Sequence, residues 1–241
     1  MNRKVFILAG LLFGSLSCKK EVSSPSSDNV TNPVDTINVV KVDTTVVKDV
    51  EGNTYKILKI GNQFWLAENL KTYKYNDGST IKSIVSNSLW DLDTLGAVCH
   101  YDNKSENTKI YGAMYNWFAV KSNKLCPLGW KVPSSSDWDT LSTFLGGDEI
   151  AGDKLKEQGN IHWVAPNDNA TDVFGFSALP TGTRNVDGSF SQGYLTYWWA
   201  SEDTGFDKNS AAVRGIHRDF SKIVNQGMQK STGLPVRCLK K

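Results

Sequence analysis

The clearest change in the spacing of apolar residues comes at Leu125–Gly147, LCPLGWKVPSSSDWDTLSTFLGG. Pro133 ends an extended lead-in, because the residue before a proline is pushed out of the α region. Ser134 and Asp137 have the S-x-x-D spacing of a capping box, which satisfies the free N–H groups at a helix start. Trp138, Leu141, Phe144 and Leu145 then fall on one face at helical spacing. Gly146 and Gly147 supply the positive-φ residue that commonly closes a helix. The pattern predicts a short amphipathic helix against which a β-rich body packs.

Elsewhere the period is mostly two. Tyr55, Ile57 and Lys59 alternate with Lys56, Leu58 and Ile60, which reads as a strand buried to some degree on both faces. Turn signals at Glu51-Gly52-Asn53 and Gly61-Asn62 bound it, and Gln63–Ala67 follows as a short strand. Further strands are expected at Phe174–Thr183, Tyr194–Ser201, Ser210–Ile216, Phe220–Gln226 and Leu234–Leu239. Tyr111–Lys121 has the spacing of a second helix, with Met114 or Tyr115, Phe118 and Ala119 inward. Asp148–Gln158 adds a third through Ile150, Ala151 and Leu155. Ile81–Leu95 reads as loop with one helical turn. No repeat of 20–50 residues recurs, which excludes a solenoid or propeller.

The first eighteen residues carry a different pattern. Arg3 and Lys4 precede an apolar run, Val5–Leu16, that is too short to span a bilayer and fits the core of a secretory signal. Ser17-Cys18 stands where a bacterial lipoprotein signal is cut and its cysteine lipidated, although Ser15 replaces the usual leucine. An ordinary signal peptide with an incidental cysteine is the competing reading. On the first, residues 1–17 are the signal, residues 18–44 a flexible polar linker, and residues 45–241 the folded domain. A lipid on Cys18 would tether the protein to the cell envelope, most simply at the outer membrane, without a transmembrane helix.

Arg3 and Lys4 are two of 27 basic residues, so their removal leaves 25 against 25 acidic ones. Nucleic-acid binding normally requires excess basic charge, which is absent. Export permits a disulfide, and of Cys99, Cys126 and Cys238 the favoured pair is Cys126 with Cys238. Closing so long a loop would contribute about 4–5 kcal/mol in the chain-entropy model. Three reduced cysteines in a core remain the alternative.

Several strings occur in one order: GNQFWLAENLK, YGAMYNW, CPLGWKVPSSSDW, LGG, AGDKLKE, FGFSALPTGTR, DGSF, YWWASE and GLPVRCLK. As an ordered set they resemble the Fibrobacter succinogenes major paralogous domain, found in exported and surface proteins. The resemblance implies an α+β, C-type-lectin-like fold, with short antiparallel sheets, two or three short helices and long loops. It also implies a distant relation to formylglycine-generating enzymes. It carries no settled activity across.

The residues themselves show little convergent chemistry. His100, His162 and His217 lack metal-ligand spacing, and neither a G-x-S-x-G nor a phosphate-binding loop occurs. Asn167, Asp168, Asn169 and Asp172 form the one dense run of oxygen donors, a chemistry that suits calcium. Such clusters after a proline are more often turns. Loops 157–173 and 182–197 hold Trp163, Arg184, Asn185, Asp187, Tyr194 and Tyr197, with Trp163 as either a stacking ring or a core anchor. A ring flanked by amides and carboxylates is what recognition of a glycan or surface protein needs. The expectation is a non-enzymatic, envelope-anchored binding or adhesion module without an obligatory cofactor. The alternatives are a redox or hydrolytic enzyme using Cys99 or Cys126, and a structural subunit of a surface assembly.

Overall fold

A computed structural model describes residues 43–167, 169–191, 193–205 and 207–241. The leader, Cys18 and nearly all of the linker lie outside the described residues, as does Asp168. Among the described residues no helix is long and apolar enough to cross a membrane.

The described residues open with β1 (Asp43–Lys48), two residues before the expected domain start, and continue into β2 (Thr54–Ile60) and β3 (Gln63–Leu66). These pair antiparallel and join β11 (Leu239–Lys240) and β7 (Trp130–Lys131) in one sheet, ordered β1-β2-β3-β11-β7. A second antiparallel sheet is ordered β10-β9-β8, from Ile223–Gln229, Ser210–His217 and Leu195–Asp203. The third is small and mixed. In it β4 (Lys82–Ser83) lies parallel to β5 (Ala97–His100), which pairs antiparallel with β6 (Ala113–Tyr115). Five short α-helices complete an α+β architecture among the described residues, more than the expected two or three.

The organising helix is α4 (Ser135–Phe144), and both bonds of its capping box form. Ser134 Oγ accepts from Asp137 N at 3.1 Å, and the Asp137 carboxylate accepts from Ser134 N at 2.8 Å. Trp138, Leu141 and Leu145 are buried, but Phe144 is 48% exposed and rests against Phe174 rather than entering the core. The next helix, α5 (Asp148–Leu155), buries Ala151 and Leu155 and leaves Ile150 exposed.

Side-chain alternation builds two large cores on the same strands. On β2, Tyr55 and Ile57 join one core while Leu58 and Ile60 join the other. On β8 the neighbours Trp199 and Trp198 divide in the same way. The second core holds an aromatic cluster in which Trp138 lies 4.8 Å from Trp65 and 5.5 Å from Trp198, centroid to centroid. Rings of this size stabilise by roughly 5 kcal/mol each from area burial, before conformational entropy is counted.

Three expected elements differ. The helix expected over Tyr111–Lys121 is divided between α2 (Ser105–Tyr111), β6 and α3 (Trp117–Lys121). Gly112 causes the break: its φ is +82°, and a Cβ there would lie 2.5 Å from the Asn69 Cβ. Met114 and Tyr115 are consequently both buried, on opposite faces of β6 and in different cores. Phe174–Thr183 forms isolated bridges instead of a strand, because its backbone bonds are made singly, to Leu155 and Leu195 among others. Leu234–Leu239 enters a sheet only at its end, and Leu234 bridges Tyr115. The one-turn α1 (Asn87–Trp90) falls within the segment read as loop with one helical turn.

Cys126 and Cys238 form a disulfide, with Cα atoms 6.0 Å apart across 112 residues of sequence. It joins the segment before β7 to the residue entering β11.

Gly152 sets the spacing between α5 and the β9–β10 turn. A Cβ there would stand 2.7 Å from the Ser221 carbonyl oxygen and 2.9 Å from that of Lys222. Both are backbone atoms, so neither can swing aside. Gly152→Ala is expected to lower the unfolding free energy by about 1–3 kcal/mol despite alanine's better helix propensity. Denaturant titration checks this, and a more stable variant would show that the helix can retreat freely.

Candidate functional site

The sequence-nominated residues separate into a buried set and an exposed set. Trp163 is 2% exposed, and its indole N–H donates to the Ala178 carbonyl at 2.8 Å. It packs in the second core and offers no open face, so the stacking-ring expectation is corrected to that of a loop anchor. Arg184 is wholly buried. Tyr197 is half-buried against the first core, with its hydroxyl held above the usual tyrosine range by burial. Tyr194 is half-buried beneath the Arg218 guanidinium, 4.7 Å from its ring. The exposed members are Asn185 and Asp187, on the turn between Arg184 and Phe190.

Arg184 makes that turn rigid. Its guanidinium donates to the carbonyls of Ile84, Val85 (2.9 Å) and Gly188 (3.3 Å), and lies 4.2 Å from the Trp90 ring and 5.2 Å from Phe190. Its backbone exchanges two hydrogen bonds with Gly233. Five fixed donors allow one arginine to satisfy carbonyls from two separate loops, which a lysine cannot do. On the turn above, Asp187 Oδ1 accepts from Ser189 N at 2.9 Å and Ser189 Oγ at 2.6 Å. These bonds hold the Asp187 carboxyl below the usual carboxylate range.

The sequence reading passed over two further buried arginines. Arg237 Nε donates to Asn69 Oδ1 at 3.0 Å, and its Nη1 serves the carbonyls of Leu66, Ala67 and Phe176. The Phe176 ring lies 4.2 Å from the same guanidinium. Burial pushes this group down to about 9, which leaves it cationic at neutral pH. Arg214 ties β9 to α4, reaching Asp139 at 2.7 Å, Asn225 at 2.8 Å and the Ser135 carbonyl at 3.2 Å. Their signal was positional: Arg214 and Arg237 sit among apolar residues on segments read as strands, where a cation demands a reason.

The described members of the oxygen-donor run, Asn167, Asn169 and Asp172, point in different directions. Asn167 is 3% exposed, and its amide nitrogen donates inward to Glu157 and Gly159 carbonyls at 2.8 and 2.7 Å. Asp172 turns the other way, accepting from Ser177 N at 2.8 Å and Ser177 Oγ at 2.6 Å. Asn169 is exposed. Among the described residues, no group of three or more His, Cys, Asp or Glu side chains stands close enough to hold a metal ion. Asn167 and Asp172 hold the loop through their own side chains, as asparagine and aspartate commonly hold turns, while Asp168 lies outside the described residues.

The cysteines and histidines are equally dispersed. Cys126 is consumed in the disulfide, and Cys99 is 1% exposed with its thiol pushed up to about 11 by burial. These two therefore do not form the pair of accessible thiols that a cysteine-based oxidase would use. His100 Nδ1 lies 2.7 Å from Tyr73 Oη and 2.6 Å from Thr108 Oγ1, and burial lowers its pKa. His162 faces Glu157 at 2.8 Å, and His217 stands 3.3 Å from Asp219.

Replacing Arg184 with methionine removes the donors for three loop carbonyls while keeping the bulk. The expected loss of stability is about 2–4 kcal/mol, with faster amide exchange around Asn87. A loss under about 0.5 kcal/mol, the size of an ordinary surface change, would contradict the role given to this side chain.

No curated protein and no solved structure matches the chain. The Fibrobacter succinogenes major domain does match, over residues 58–240. That span runs from within β2 to the end of β11 and takes in the disulfide, the aromatic cluster and the three buried arginines. The chain belongs to the Fibrobacter succinogenes major domain family.

Proposed function

We propose that this protein is a non-catalytic binding or adhesion module of the cell envelope, with a lectin-like fold, held to the outer membrane by a lipid on Cys18. It recognises a glycan or a surface protein through its long loops. The observation that carries the reading is the Asn185–Ser189 turn. An amide and a carboxylate stand exposed there on a loop that Arg184 fixes from below. A preorganised polar loop loses little conformational freedom when it binds, and this is how a rigid frame converts contacts into affinity. The signal-like leader, the cysteine at its end and the polar stretch after it support an anchored, exported location.

In cells expressing the chain, a labelled fatty acid should enter the protein and be lost in Cys18→Ser. The wild-type protein should capture envelope polysaccharide or a surface protein. Asn185→Ala with Asp187→Ala should reduce that capture at unchanged melting temperature. Capture that is indifferent to both substitutions, or silence across broad glycan and protein panels, would sink the reading.

A further inference from the structure

Beside that turn lies a second exposed surface of different chemistry. Val85, Leu89, Leu92 and Leu95 are four large aliphatic side chains on one loop, and each is between 55% and 87% exposed. Leu89 lies on α1, and Asp91 continues the helical conformation, so Leu92 stands one turn further along the same side. Single exposed leucines are ordinary, but a group of them on one loop marks a contact surface.

The loop is held from beneath at three points. Trp90 is wholly buried against the Arg184 guanidinium, and its indole N–H donates to the Ser231 carbonyl at 2.6 Å. The buried Asp93 carboxylate accepts from Leu95 N at 3.0 Å and from Lys82 Nζ at 2.8 Å. Asn116 Nδ2 donates to the Asp93 carbonyl at 3.2 Å. The leucines are therefore displayed by a fixed backbone, so a partner need not order it on binding. The loop also adjoins the Asn185–Ser189 turn, since a Cβ on Gly188 would stand 2.4 Å from the Asn87 Cα.

The chemistry of the loop selects among occupants. Aliphatic side chains offer neither hydrogen bonds for sugar hydroxyls nor an aromatic face for a sugar ring, which argues against a glycan here. A lipid surface fits poorly too, because Asp91 is exposed between Leu89 and Leu92 and its carboxylate would have to enter the hydrocarbon with them. Residues 82–95 also lack an exposed tryptophan, tyrosine or unpaired lysine to anchor them at a membrane: Trp90 is buried and Lys82 is paired with Asp93. Two copies joined loop to loop would bring like carboxylates into one apolar contact. Asp91 makes no ion pair among the described residues, Lys208 included, although both border a cavity of about 360 Å³ beside the loop. A carboxylate accepts hydrogen bonds, so the partner must supply the donor. We propose that the Val85–Leu95 loop docks a protein partner, seating Leu89, Leu92 and Leu95 in an apolar groove that carries a lysine or arginine opposite Asp91. The proposal rests on the envelope-binding role and narrows its partner to a protein.

The test places a photocrosslinking amino acid in the full-length chain in the producing cells. One position is the exposed Thr94, between Leu92 and Leu95; the control is the exposed Lys222, at the other end of β10 from that cavity. Light should join the chain to one other protein from Thr94 and not from Lys222. Mass spectrometry should place the joined peptide in an apolar segment containing a lysine or arginine. Leu89→Ser with Leu95→Ser, and separately Asp91→Lys, should each lower the adduct at least about tenfold at unchanged melting temperature. These side chains are exposed, so neither variant threatens the fold. Adducts to lipid alone, to a second copy of this chain, equally from Lys222, or to no protein would overturn the proposal, as would a yield indifferent to both variants. Failure here, with capture still dependent on Asn185 and Asp187, refutes the loop alone. An adduct here, with capture indifferent to those two residues, refutes the turn.

Discussion

Among the described residues three guanidinium groups are buried, and much of the irregular backbone is arranged around them. An unpaired buried charge is strongly unfavourable. Arg184 and Arg237 have no carboxylate in direct contact among the described residues, and are solvated by loop carbonyls and ring faces instead. The constraint works in both directions. The arginine is tolerable only if the surrounding backbone holds its carbonyls in place. Those carbonyls in turn draw bonds from it, the Val85 carbonyl from Asn103 Nδ2 as well. Arg214 follows the more familiar pattern, with one carboxylate from Asp139.

This arrangement accounts for a chain with long stretches of nonrepetitive backbone that nevertheless has a well-packed interior. Trp198 and Trp199 enter two cores from one strand, so β8 is gripped from both faces. Asn69 then connects the cores to the arginine system, because its Oδ1 accepts from both Trp198 Nε1 and Arg237 Nε while its amide holds the Tyr111 carbonyl. Loss of Asn69 would take away the bonds it makes to the Trp198 indole N–H, to Arg237 Nε and to the Tyr111 carbonyl.

Sequence patterning made the regular parts of this fold legible. The capping box, the two-faced β2 and the paired strands β8 and β9 follow from spacing. Strand β10 runs over Ile223–Gln229, three residues later than the expected Phe220–Gln226, because Phe220 belongs to the turn after His217. Tyr111–Lys121 misled because its helical periodicity is real, while Gly112 and pairing with β5 override it. Phe144 misled because a ring at the end of a helix face can lie at the edge of a core. For the candidate site the difficulty was different. A tryptophan or arginine in a loop reads the same whether it faces solvent or interior, and the partners that bury Arg184 lie about a hundred residues away.

The position of β11 bears on how the molecule is made. Leu239 pairs with Trp65 on one side and with Lys131 on the other, so the largest sheet is joined through its most C-terminal strand. Until that strand is present, β1, β2 and β3 lack the connection to β7 and the disulfide lacks its second cysteine. Contacts of such long range are slow to form, because the loop they close must first be ordered. A nascent chain would therefore keep this sheet unsealed until Cys238–Lys240 had been synthesised, however early its other strands were made.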